Sequence, residues 1–255
     1  RATTGGSGGA EALADEDVAL SRELVAADPG RLDWKEGLTV SLSRLSDLRA
    51  SAGRGAEAEA LTEEDIALSR ELVAVDPERR DWRRDLTVSL NRLIDLRLLS
   101  AGNLVPRATA EESLALRRGL WEEEPDEPAA IYSLVVGLDT LARVRVEDGE
   151  VNLAQECLDE AESLWLRLSA SRREAPHKRL EEARMLALRA SLEPKSPKAN
   201  GWLKEAQQIL EAQGDRGNLV FKLLSVRRDI RKAERAVKAA KGEAKAEEPE
   251  APEVL

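Results

Sequence analysis

Leucine recurs along this chain at intervals of three and four residues, with charged positions filling the spaces between. Leu86, Leu90, Leu93 and Leu96 set one such stripe, and Ile66, Leu68, Leu72, Val73 and Val75 set another. That spacing gathers apolar side chains on one face of an α-helix, whereas a half-buried strand would alternate at every second residue. Period-two alternation is absent, and the valine clusters fall inside helical patterns. Pro29, Pro77 and Pro125 interrupt the pattern; each lacks a backbone donor and clashes with a preceding turn, so each ends a helix or lies just beyond one. Asp33 and Asp81 then stand where an N-cap would accept free amides, and Asp33 with Glu36 has the spacing of a capping box. Gly53 with Gly55, Gly102-Asn103 and Asp148-Gly149 mark the other connections as helix ends and turns. The expectation is an all-α chain of about ten helices.

The pattern repeats. From Glu16 the chain reads EDVALSRELVAADPGRLDWKEGLTVSLSRLSDL, and from Glu64 it reads EDIALSRELVAVDPERRDWRRDLTVSLNRLIDL. Pro29 maps to Pro77, Trp34 to Trp82 and Leu45 to Leu93, each 48 positions on. A diverged third copy from Glu112 keeps Leu114, Pro125, Leu134, Leu138 and Leu141, with Ala130 at the tryptophan position. A fourth start, ESLWLRL from Glu162, lies 50 positions after Glu112. Each unit reads as two helices, and one pair cannot bury its own stripe. Neighbouring pairs must therefore stack into an α-solenoid of antiparallel pairs. Leu45, Leu93 and Leu141 share one stripe position and are expected to be buried. Trp34 and Trp82 are expected to pack between helices.

With these residues in view, the chain resembles tetratricopeptide-repeat proteins, in a long-period bacterial variety whose units read like ESLALRR…DP…W…DLTVSLNRLIDL. The copies at 16–49, 64–97 and 112–144 carry the resemblance, and it weakens from 150 to about 240. The standard unit has about 34 residues, fewer than the 48 found here, and the family's first-helix glycine is replaced by Ser46 and Ile94. A HEAT- or armadillo-like solenoid therefore stays open. The resemblance implies a right-handed superhelix in which the first helix of each pair lines a concave groove. Carried over by position, that groove contains Ser43 and Asp47, Asn91 and Asp95, then Asp139 and Arg143. Such a groove would suit a protein or peptide partner of basic or mixed charge.

Composition sharpens the outline. Residues 1–9, rich in glycine, read as a linker, 10–175 as the repeats, and 176–241 as degenerate closing repeats with a polar cap. Residues 242–255, rich in Glu, Ala and Pro, read as a disordered tail. The chain opens on Arg1 and its one methionine is Met185, as expected of a segment of a larger protein. A formal charge of −10 disfavours nucleic acid and anionic membrane surfaces as partners. No apolar run approaches the roughly 20 residues of a membrane span. The single cysteine, Cys157, fits a reducing, cytoplasmic setting and a buried apolar role. His177, the one histidine, is expected to be an exposed polar residue. One His and one Cys cannot assemble a zinc site or a catalytic triad, and GGSGG lacks the lysine of a phosphate loop. No metal or cofactor is expected, and no catalysis. The leading expectation is a protein-interaction scaffold. A structural spacer or self-association module is the alternative, and an enzyme with an unrecognised acidic site is a third.

Overall fold

The structure, a computed structural model, describes residues 5–100, 107–168, 173–213 and 220–242. Among them the chain is all-helical, with no strand. The helices are α1 (Gly5–Ala27), α2 (Leu32–Ser51), α3 (Gly55–Val75), α4 (Arg80–Leu99) and α5 (Arg107–Glu123). They continue as α6 (Pro128–Glu147), α7 (Val151–Arg167), α8 (Pro176–Leu192), α9 (Ala199–Gln213) and α10 (Val220–Ala240). Pro29, Pro77 and Pro125 each follow a helix end by two residues, as the missing donor requires. Gly53 and Gly149 turn the chain with φ of 81° and 78°, a region that favours glycine. Helix α1 starts at Gly5, so five residues read as linker are helical; extending an existing helix needs no new nucleus. Residues 243–255, the body of the expected tail, and the Gly102-Asn103 turn lie outside the described residues.

The 48-residue period runs further than sequence identity does. Helices α2, α4, α6 and α8 begin at 32, 80, 128 and 176, and α7 and α9 begin at 151 and 199. The buried set Ala110, Ser113, Arg117 and Leu120 answers to Leu158, Ala161, Trp165 and Leu168, again 48 on. The offset of 50 that aligned Glu162 with Glu112 is thereby corrected. A two-residue slip rotates a helix by about 200°, which would carry the buried face to solvent.

The expected caps are also corrected. Asp33 and Asp81 lie inside the first turns of α2 and α4, and neither helix has a side-chain cap. Arg31 donates to Asp33 at 2.8 and 2.6 Å, and Arg79 donates to Asp81 at 3.1 Å. The two guanidinium carbons stand 4.5 Å and 3.9 Å above the rings of Trp34 and Trp82. The carboxylates still oppose the positive end of each helix dipole, so the charge is useful although the hydrogen bond goes elsewhere. Glu36 does not reach back along α2, because it meets Arg79 of the next repeat at 3.2 Å. At α6 a cap does form, with Glu127 accepting from the Ala129 amide at 2.6 Å.

The helices divide into two compact units, α1–α4 and α5–α10. In the first, each helix packs on the next in chain order. Val18, Leu38, Leu42 and Leu45 form a core closed by Leu61 and Leu68 of α3. In the second, α5, α6 and α7 pack in the same order, and α8 then supports both α9 and α10. Ala183, Ala187 and Ala190 on α8 let those two helices approach closely, against Leu203, Ile209, Val226 and Ile230. Leu45, Leu93 and Leu141 are all buried, as is Trp82, while Trp34 is half-buried.

The contact between paired helices recurs in changing chemistry. Ser21 and Ser41 oxygens lie 3.4 Å apart. At the next repeat Ser69 and Ser89 donate to the buried carboxylate of Asp65, at 3.1 and 2.6 Å. At the third, Arg117 lies against Gly137, and a Cβ on that glycine would stand 2.7 Å from Arg117 Cδ. Room left by the small residue is taken by the large one.

Candidate functional site

The six positions carried over from the resemblance fall on equivalent points of α2, α4 and α6, yet the structure treats them differently. On α2, Ser43 is half-buried and Asp47 is exposed. On α4, Asn91 is buried, so the expectation that it faces a partner is corrected, and Asp95 is half-buried. On α6, Asp139 and Arg143 are both buried, so the expectation that they face a partner is corrected. The reason is tertiary: α8 and α10 bring charged side chains onto that part of α6.

The α2–α4 face is the accessible one. Arg92 of α4 donates to Asp47 of α2 at 2.9 and 3.3 Å, an exposed bidentate pair that joins neighbouring repeats. Beside it Val40 and Val88 are 44% and 48% exposed at the same repeat position. Two large apolar residues held at matching points, flanked by Arg44, Asp47 and Arg92, make a face of mixed charge with an apolar centre. Sequence reasoning passed over the valines because each stands alone on a charged face, Val40 between Glu36 and Arg44 and Val88 between Arg84 and Arg92, outside the leucine stripes.

The second cluster is buried in the second unit and joins three helices. Arg143 Nε lies 3.2 Å from Asp139 and its Nη1 lies 3.7 Å from Asp229 of α10. Arg184 of α8 stands 3.9 Å from Asp139, 3.4 Å from Glu181 and 3.5 Å from Asp229. It also donates to Ser225 at 3.1 Å. Lys222 donates to Glu181 at 2.7 Å and to the Tyr132 hydroxyl at 3.4 Å. Three carboxylates thus face three cations, and a balanced set is what burial of charge demands.

The carboxylates are unequal within it. Burial raises Asp139 to about 7 despite the nearby arginines, and neither of its oxygens receives a hydrogen bond. Burial acts the same way on Glu181, but Lys222 and Arg184 outweigh it and hold that group down at about 2. Burial also lowers Arg117, outside this set, to about 10; its guanidinium donates to the Ser133 carbonyl and hydroxyl at 3.0 and 2.8 Å. The cleft beside the cluster, between Arg143, Glu147, Leu188 and Arg228, encloses about 20 Å³, room for one water.

A trace of this cluster exists in the sequence. Val40, Val88 and Val136 are followed 48 positions on by Arg184, and Lys222, Ser225 and Asp229 each precede an apolar residue of the α10 stripe. His177 is exposed with its ring 5.6 Å from Tyr132, and partial burial lowers its pKa. Cys157 is buried, its thiol pushed up by burial, and it accepts from Arg145 at 3.1 Å. Among the described residues no group of three or more His, Cys, Asp or Glu is placed to hold a metal, and no helix is long and apolar enough to cross a membrane.

No family model matches the chain, and no curated protein matches its sequence. Among solved structures it is similar to BtubC (BKLC) from P. vanneervenii, at 18% identity, with 98% of each chain covered and a TM-score of 0.49. A likeness at that level carries no functional argument.

Proposed function

We propose that this chain is a protein-interaction scaffold of the tetratricopeptide-repeat type, acting within a larger bacterial cytoplasmic protein and catalysing nothing itself. The observation that supports a binding role is the pair Val40 and Val88, exposed at one repeat position on α2 and α4 beside the Asp47–Arg92 pair. Scattered surface valines need no explanation, but register-matched ones surrounded by fixed charges form a small anchor site. Because Asp47 already engages Arg92, the face suits a partner of mixed charge with an apolar anchor better than a purely basic peptide.

A spacer reading draws on the cross-repeat ion pairs that brace the first unit, such as Lys35 with Glu71 at 2.7 Å. One experiment separates the two. A photo-crosslinking residue is placed at Val88 in the parent cell, with exposed Leu166 on α7 as the control position. The binding reading expects a discrete adduct at 88 that Val40→Glu with Asp47→Lys abolishes while helicity stays unchanged. Identical adducts at 88 and 166, or an adduct indifferent to both substitutions, would favour the spacer.

A further inference from the structure

The N-terminal helix carries apolar residues that its own unit leaves open. On α1, Leu13, Leu20 and Leu24 are 69%, 54% and 47% exposed. They lie at i, i+7 and i+11, which is one face of a helix. The repeat shows what such a face contacts when covered. Their counterparts 48 residues on are Leu61, Leu68 and Leu72 of α3. Leu61 and Leu68 pack against Leu38, Leu42 and Leu45 of α2, and Leu72 is only 2% exposed. The same face of the same repeat element is therefore covered in α3 by α2, the helix before it in the chain, and uncovered in α1 among the described residues.

One further correspondence prepares α1 for the same burial. Glu23 is the counterpart of Glu71, which receives Lys35 of α2 at 2.7 Å. An exposed face that keeps the leucines and the acid of a covered one is built to be covered.

We propose that the Leu13–Leu20–Leu24 face of α1 is a docking site for one amphipathic helix of the α2 kind. Its occupant bears leucines at i, i+4 and i+7 and a cation three residues before the first, as Lys35, Leu38, Leu42 and Leu45 do. The partner seats its leucines across Leu13 and Leu20 and brings its cation to Glu23. This surface is separate from the α2–α4 face, so each proposal can fail alone.

The test uses the whole 255-residue chain and a synthetic peptide of residues 31–52, held helical by a hydrocarbon staple on the side away from Leu38, Leu42 and Leu45. Fluorescence anisotropy should show saturable binding, weakened about ten-fold or more by Leu20→Glu with Leu24→Glu, since an unpaired charge in an apolar contact is costly. Glu23→Lys should weaken binding of this peptide, and a Lys35→Glu peptide should recover it, which fixes the register. Sedimentation of the chain alone is the companion measurement. Absence of saturable binding, binding indifferent to the leucine substitutions, or a dimer that those substitutions dissociate would each overturn the proposal, the last by assigning the face to a second copy.

Discussion

Gly137→Ala offers a sharp test of how the third repeat is packed. Glycine inside a helix is disfavoured against alanine by up to about 1 kcal/mol, so on an open surface this change would stabilise α6. Here the new methyl would lie 2.7 Å from Cδ of Arg117 and 3.3 Å from Cδ1 of Leu114. Arg117 cannot swing aside cheaply. It is buried, and its guanidinium donates to the Ser133 carbonyl, the Ser133 hydroxyl and the Ser113 hydroxyl at 3.0, 2.8 and 3.2 Å. Overpacking of this kind costs about 1–3 kcal/mol, so the single variant should show no gain and lose up to about 2 kcal/mol after the propensity term. Arg117→Ser introduces the residue found at Ser21 and Ser69 and removes the 2.7 Å overlap, leaving the milder 3.3 Å approach to Leu114. In that background Gly137→Ala should stabilise by up to about 1 kcal/mol, giving a coupling of about 1–3 kcal/mol between the two sites. Urea unfolding of the four proteins, with hydrogen exchange of α5 and α6 reporting on that unit, measures the cycle. An effect of Gly137→Ala that agrees within about 0.5 kcal/mol in both backgrounds would refute the compensation between these positions.

Two other outcomes follow from the same reading. Leu93→Ala removes a buried stripe residue and should cost about 2–5 kcal/mol, seen as a lower urea midpoint; an unchanged midpoint would contradict the register of α4. Asp139 lies at about 7 in the folded chain against an ordinary 3.8, so the folded state holds the extra proton between roughly pH 4 and 7. Its contribution is full below about pH 4 and is lost as pH rises through 7, by roughly 4 kcal/mol at most. Glu181, held at about 2, acts in the opposite sense, losing its contribution as pH falls from its ordinary 4.5. Asp139→Asn should flatten the decline in exchange protection of α6 from pH 5 to 8, and an undiminished decline would assign it to another group.

Local chemistry was enough to find the helices, their proline ends and the apolar stripe through Leu45, Leu93 and Leu141. Each depends on residues within a few positions of one another: a missing donor, a spacing of three or four, a repeated string. Identity of letters was a weaker guide than periodicity of burial. It aligned ESL at Glu162 with ESL at Glu112, although the helix starts and the buried faces keep the 48-residue step. Caps escaped for a related reason, since Asp33 could bond either amides or Arg31 and only the conformation chose between them.

The candidate site depended on long-range neighbours. Asp47 and Asp139 occupy comparable places in their repeats and read alike as polar helix positions. What separates them is that α8 and α10 deliver Arg184 and Asp229 onto α6, from 45 and 90 residues further along the chain. The result is an exposed ion pair at one position and a buried network at the other. Likewise Leu20 and Leu68 read alike, and one is open while the other packs against α2. The sequence by itself determined which residues form helices and which face of each is apolar, because both follow from local backbone chemistry and periodicity. The tertiary structure alone decided which faces are covered, because burial depends on residues that only the folded chain brings together.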